Sequence, residues 1–174
     1  MAKLQVYDGA TPTCITDQSA VKDYLAKINI GFERWPTHAD LGSGTSSDDI
    51  LAAYDSEVAL LSKQNGYTTA DVINIEATMP NLDAMLAKFD KEHWHDEDEV
   101  RFILDGLGIF HINPPDRPVV AVTVTAGDLL VVPKGTKHWF HLGSERRVCA
   151  IRLFQDTRGW APHYTPTDTA VSYP

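Results

Sequence analysis

Long apolar runs are missing from this 174-residue sequence. No stretch approaches the ~20 apolar residues that a membrane helix needs, so a helical span is excluded. Basic residues are scarce: 15 Lys and Arg stand against 24 Asp and Glu, a formal charge of −9. A nucleic-acid partner requires clustered Lys and Arg, and the charge argues against one. Cysteine is nearly absent, with only Cys14 and Cys149. One disulfide is arithmetically available, but a reduced chain is the simpler reading and points to the cytoplasm. The opening MAKLQVYDGATPTC lacks the apolar segment of a secretory leader, which gives the same expectation. Internal repeats, low-complexity tracts and obvious linkers are absent too. What remains is an ordinary globular composition, 43% hydrophobic and 22% charged, on a length that suits one domain.

The pattern changes near residue 90. Before it, helical periodicity dominates. Val21, Tyr24, Leu25 and Ile28 follow i, i+3, i+4, i+7, with Gly31 as a stop. A second helix is predicted over 47–63, capped by Ser46 or Ser47, with Leu51, Tyr54, Val58 and Leu61 on its apolar face and Asn65-Gly66 at its end. Pro80 suits the first turn of a third, carrying Leu82, Met85, Leu86 and Phe89. Short strands are predicted at 3–7, 30–35 and 71–76. After residue 98 come VRFIL, LGIFHI, VVAVTVT, DLLVVP, HWFHL and RVCAIRLF, short segments rich in β-branched and aromatic residues. Turn formers separate them, among them Asp105-Gly106, Ala126-Gly127-Asp128 and Pro133-Lys134-Gly135. Many close-spaced strands predict a sandwich or small barrel with helices packed outside it. We expect a helix-rich part over 1–89, a barrel core over 90–156 and an irregular C-terminal arm over 157–174.

Polar chemistry concentrates in HWHDEDEVRFILDG, residues 93–106. His93 and His95 would point to nearly opposite sides of a helix but to one side of a strand. Their spacing can grip one ion only if the chain is extended. Glu99 and Arg101 have the same parity, and a turn or bulge at Asp96-Glu97-Asp98 would also bring Glu99 back towards the histidines. His138, after a Pro-x-Gly turn in PKGTKHWF, can join them inside a barrel. Three imidazoles and a carboxylate suit iron, nickel, manganese or zinc rather than calcium. An isolated H-x-H is usually surface decoration and an acidic run usually solvated; the joint spacing of His93, His95, Glu99 and His138 sets them apart. Histidines 38, 111, 141 and 163 read as ordinary residues, and Cys149 as core.

His93, His95, Glu99 and Gly106 match the first motif of the cupins, and Gly127, Pro133, Gly135 and His138 the second. Ala87 and Leu142 stand where the cupin motifs expect glycine and asparagine; neither position supplies a ligand. The flanking KFDKEHWHDEDEVRFILDGLGIF, PKGTKHWF, AIRLF and GWAPHYT closely resemble the acireductone dioxygenase family, as do FERWPTHADL and the closing AVSYP. The resemblance implies a cupin jelly-roll barrel, mainly β with flanking helices. It implies one Fe(2+) or Ni(2+) per chain on His93, His95, Glu99 and His138, and Arg101 facing the substrate as stabiliser of its dianion. It also implies auxiliary roles for Glu92 and Asp98, linked in the family to metal incorporation and to transmitting local changes.

The substrate so implied is acireductone, 1,2-dihydroxy-3-keto-5-methylthiopentene, cleaved with O2 in methionine salvage by a monomer. Iron then gives the keto acid and formate, and nickel gives methylthiopropionate, formate and CO. Phe89, Phe140 and Trp160 are candidates for the apolar end of the pocket, and Arg152 for a second positive group. Cupins host many chemistries. A metal-dependent isomerase and a non-catalytic metal- or ligand-binding cupin are the alternatives. Dependence on dioxygen separates the first from a dioxygenase, and absence of turnover separates the second.

Overall fold

The computed structural model describes residues 1–38, 41–42, 44–156 and 161–173. Two antiparallel sheets share one long strand. That strand is β6 (Glu99–Ile112), preceded by β1 (Lys3–Val6), β2 (Thr13–Ile15), β3 (Gly31–Arg34), β4 (Thr69–Ile75) and β5 (His93–Trp94). It is followed by β7 (Val120–Thr125), β8 (Asp128–Val132), β9 (His138–Leu142), β10 (Val148–Phe154) and β11 (His163–Tyr164). The first half of β6 pairs with β8 and β10, which carry β3 and β4 on their far sides. Its second half pairs with β7 and β9, and that sheet runs β11-β5-β9-β6-β7-β1-β2. The strands of the first 89 residues therefore extend both sheets.

The expected turn at Asp105-Gly106 is instead a bulge inside the continuous β6. Cys149 of β10 faces Asp105 while its neighbour Ala150 faces Ile103, so the register slips there. Gly106 has φ 74°, a left-handed conformation that side chains with a Cβ rarely adopt. The slip changes which residues point inward. Before it, Ile103 faces the barrel interior while Val100, Phe102 and Leu104 face the other way; after it, Phe110 and Ile112 face the interior. Val122, Leu130, Val132 and Phe140 belong to the same interior cluster. Each such side chain contributes about 1.5–3 kcal/mol when fully buried.

Helix α1 (Gln18–Lys27) is capped by the Asp17 carboxylate, which accepts from the Ala20 amide, and it lays Val21 and Leu25 into the same cluster. Its stop is Asn29, with φ 61°; Gly31 already belongs to β3. The predicted helix over 47–63 is two, α2 (Ser47–Ala53) and α3 (Asp55–Asn65), because Tyr54 leaves helical geometry at φ −109°, ψ 16°. Tyr54 is buried against Phe102, with ring centroids 4.9 Å apart, and its hydroxyl accepts from the His38 amide. Tertiary packing there overrides local propensity. Ser46 caps α2, and Gly66 closes α3 at φ 76°. These helices cover the outer face of the β3–β8–β6–β10–β4 sheet with Ile50, Tyr54, Val58 and Leu61. Helix α4 is only Leu82–Leu86, so Pro80 precedes it and Phe89 follows it. No helix among the described residues is long and apolar enough to cross a membrane.

The bulge yields a direct test. A Cβ on Gly106 would lie 2.1 Å from the Arg147 carbonyl oxygen, contact with backbone that cannot swing aside. Gly106→Ala should cost on the order of 2–3 kcal/mol, read as a lowered urea midpoint. A wild-type midpoint would show that the bulge is not needed.

Candidate metal centre

His93, His95, Glu99 and His138 each bring one ligand atom to a common point in the barrel, and these atoms all lie within 4.8 Å of one another. The fold achieves this through pairing. β5 is extended, as the H-x-H spacing requires, and His93 lies directly opposite His138 of β9. A bend at Asp96 and Glu97 separates β5 from β6, whose first residue is Glu99. All four side chains are buried, none more than 4% exposed.

The imidazoles are oriented from behind. His93 Nδ1 donates to the Lys91 carbonyl at 2.6 Å, His95 Nδ1 to the Ala161 carbonyl at 3.0 Å and His138 Nδ1 to the Thr136 carbonyl at 2.8 Å. A carbonyl only accepts, so each Nδ1 carries its proton and each Nε2 is turned inward. His138 Nε2 meets Glu99 Oε2 at 2.9 Å and His95 Nε2 meets it at 3.3 Å. His93 Nε2 is fully buried with no hydrogen-bond partner among the described residues. A buried ring nitrogen without a partner is costly and calls for a ligand.

Electrostatics fit the same reading. Burial, reinforced by His138, pushes the His93 pKa down to about 4, so the ring is neutral and able to coordinate at neutral pH. Burial pulls His95 the same way, but the Glu99 carboxylate outweighs it and the net shift is upward. Burial alone would raise Glu99; Arg101 and the two imidazoles reverse that and hold it well below the usual carboxylate range. Three imidazoles with Nε2 turned inward and one carboxylate fit a transition-metal cation.

Arg101 is 6% exposed and its Nε donates to Glu99 Oε1 at 2.6 Å. Its guanidinium lies 5.3 Å from the Phe140 ring centroid and 5.8 Å from that of Phe110. Gly108 makes room for this: a Cβ there would come within 2.5 Å of the Phe140 ring. Phe89 packs beside the interior cluster, 6.2 Å from the His93 ring. Arg152 sits across the strand from Arg101 and is held by Asp71 through Nε at 2.8 Å and Nη2 at 2.6 Å. Trp160 lies outside the described residues.

Glu92, one of the two auxiliary candidates, is buried. It is 2% exposed and accepts from Asn113 Nδ2, Thr165 Oγ1 and Thr167 Oγ1 at 2.7–2.8 Å. Burial alone would raise its pKa, and those hydrogen bonds bring it below the ordinary value. Asp98 accepts from the Tyr67 hydroxyl at 3.1 Å and the Lys134 amide at 3.0 Å, tying the start of β6 to the loop before His138. Sequence reasoning missed Phe110, whose inward direction depends on the bulge, and the carbonyls of Lys91, Thr136 and Ala161, for which a residue type gives no signal.

A jelly-roll barrel with imidazoles and a carboxylate converging on its interior defines the chain as a cupin. It matches the ARD/ARD' family over residues 11–162. It is 44% identical over 168 residues to the acireductone dioxygenase of Picosynechococcus sp., covering 97% of this chain and 96% of that one. It is 39% identical over 176 residues to that of Aquifex aeolicus, covering 100% and 96%. Among solved structures it resembles the Bacillus anthracis acireductone dioxygenase with cadmium ion in its active centre. The TM-score is 0.87 at 37% identity, over 94% of this chain and 98% of that one. The chain belongs to the acireductone dioxygenase family and is a metal-dependent dioxygenase.

Glu99→Ala would remove the buried carboxylate to which Arg101 Nε donates. In metal-free protein we expect a loss of about 3–5 kcal/mol in urea denaturation. A loss below about 1 kcal/mol would mean that water or another group already solvates the guanidinium.

Proposed function

We propose that this chain cleaves acireductone, 1,2-dihydroxy-3-keto-5-methylthiopentene, with dioxygen in methionine salvage. His93, His95, Glu99 and His138 would hold one Fe(2+) or Ni(2+) per chain. When bound, that ion supplies Lewis acidity and open coordination positions inside the barrel. The observation that carries the reading is a fixed cation, Arg101, buried beside four converging ligand atoms in a chain of this family.

Arg101 keeps its charge at any working pH and is suited to stabilise the dianion of the enediol. Glu99 and the rings of Phe110 and Phe140 hold it in place, so little reorganisation accompanies reaction. Phe89 and Phe140 would face the methylthio end of the substrate, a role the sequence also assigns to Trp160. Arg152 would add positive charge at the rim, moderated by Asp71. Glu92 and Asp98 would act as positioning residues, the first through Thr165 and Thr167, the second through Tyr67 and Lys134. Buried walls exclude water and strengthen each of these interactions.

The electron-rich dianion reacts with dioxygen and carbon–carbon bonds break, without a serine or cysteine nucleophile. Burial raises the Cys149 thiol to about 11, which makes it inert. The iron form would give 4-methylthio-2-oxobutanoate and formate. The nickel form would give 3-methylthiopropanoate, formate and CO. We place the enzyme in the cytoplasm as a monomer with no nucleic-acid or membrane partner; both cysteines are free, which supports a reducing compartment.

The decisive experiment mixes anaerobic, metal-loaded enzyme with acireductone and then admits oxygen. Rapid bleaching of the enediol absorbance is expected, and turnover without oxygen would overturn the reading in favour of an isomerase. Elemental analysis paired with product identification assigns iron or nickel chemistry. His138→Ala should remain folded by circular dichroism but lose the metal; full occupancy in that variant would remove His138 from the ligand set. Arg101→Ala should keep the metal and lose roughly 10²–10³ in kcat/KM, and an unchanged rate would exclude it from catalysis.

A further inference from the structure

A cavity of about 710 Å³ lies beside the metal centre. None of His93, His95, Glu99 or His138 lines it. Its walls are the C-terminal end of α1, residues 112–117 and residues 134–137. Its volume falls in the range of small-molecule sites, about 300–1,000 Å³.

Its charge is opposite to that of the chain. Lys27, Arg117, Lys134 and Lys137 line it against a single carboxylate, Asp116, although the whole chain carries −9. None of the four cations forms an ion pair among the described residues. Four like charges facing one concavity repel one another, and a bound polyanion relieves that repulsion. The end of α1 does not oppose an anion as a bare helix C-terminus would. The Leu25 carbonyl accepts from the Ile28 and Ile30 amides and the Ala26 carbonyl from the Asn29 amide, while Lys27 adds positive charge in the last turn. Ile28, Ile112, Pro114 and Pro115 add apolar surface.

We propose that this cavity binds a small bisphosphate, a compact organic molecule with a phosphate at each end. Each phosphate monoester carries about −1.5 to −2 at neutral pH, so two of them offset the four cations net of Asp116. Arg117 suits bidentate contact with phosphate oxygens, and the lysines act as point charges. The apolar surface faces the carbon skeleton between the phosphates. One wall, residues 134–137, also contains the Thr136 carbonyl behind His138, and its Gly135 amide donates to the His95 carbonyl at 2.9 Å. The site thus borders the metal centre without sharing its ligands.

Fructose 1,6-bisphosphate serves as the probe, titrated calorimetrically into the full-length, metal-loaded enzyme. One saturable event per chain is expected, weakening about five- to tenfold as salt rises from about 20 to 200 mM. The double substitution Lys27→Glu with Arg117→Glu should weaken it at least about tenfold, with melting temperature and metal content unchanged. Inorganic phosphate should bind more weakly than the bisphosphate. Should the double variant misfold, Lys27→Gln and Arg117→Gln, each at an exposed position, should singly cost about threefold. Absence of saturable binding at about 10 mM probe and low salt would overturn the proposal. So would full affinity in the folded variants, which would place the probe at the metal instead.

Discussion

The carboxylate of Glu99 sits at the centre of this protein, cut off from solvent, and most of the site is organised around it. Taking such a charge out of water costs several kcal/mol unless partners replace the lost hydration. Arg101 supplies one at 2.6 Å on Oε1, and His138 and His95 supply two more at 2.9 and 3.3 Å on Oε2. Each partner is buried as well, so none is stable without the others. This mutual dependence separates a built site from a chance meeting of polar residues. A surface cluster of the same composition would be screened and contribute little. Here the low-dielectric walls make every member costly to lose.

β6 turns that local balance into a property of the fold. Glu99 and Arg101 lie in its first half, between β8 and β10. Phe110 and Ile112 lie in its second half, between β7 and β9. Without the bulge at Gly106, strict alternation would turn Phe110 outward whenever Arg101 faced inward. The one-residue slip lets a charged pair from one sheet and its aromatic support from the other share an interior. Gly108 performs the complementary task, leaving space for the Phe140 ring under the guanidinium. Two glycines in a strand that reads as ordinary β sequence thus set the geometry of the cation.

Much of this was legible in the sequence, for identifiable reasons. The ligand set could be read because H-x-H works only in an extended chain and because the Pro-x-Gly turn marks the start of β9. Strand positions after residue 98 followed from β-branched runs between turn formers. What stayed hidden depended on tertiary contact. Asp105-Gly106 has the composition of a hairpin turn, and only its pairing with β10 makes it a bulge. Tyr54 fits the helical periodicity of 47–63, yet its packing on Phe102 breaks the helix there. Glu92 carried only an auxiliary role from the family resemblance, and only Asn113, Thr165 and Thr167 reveal it as buried and satisfied. The basic cavity was invisible for a similar reason. Its cations stand at 27, 117, 134 and 137, two of them far from the others along the chain, so no charge run announces it.

Charge arithmetic connects the metal centre to the kind of substrate proposed for it. Glu99 and Arg101 cancel as an ion pair, and His93 is held neutral by burial. That cancellation lets the pair remain buried without a strong internal field. Adding a divalent cation leaves a surplus of about two positive charges inside apolar walls, which is unfavourable unless an anion enters with it. The enediol proposed as substrate would therefore be favoured in its more ionised form within the barrel, where a dianion would restore the balance. The same surplus disfavours neutral sugars, which bring no charge to offset it. On this argument Arg101 serves two ends. It makes Glu99 tolerable inside the barrel, and under the proposed function it would set the charge surplus that selects an acidic, doubly ionisable substrate.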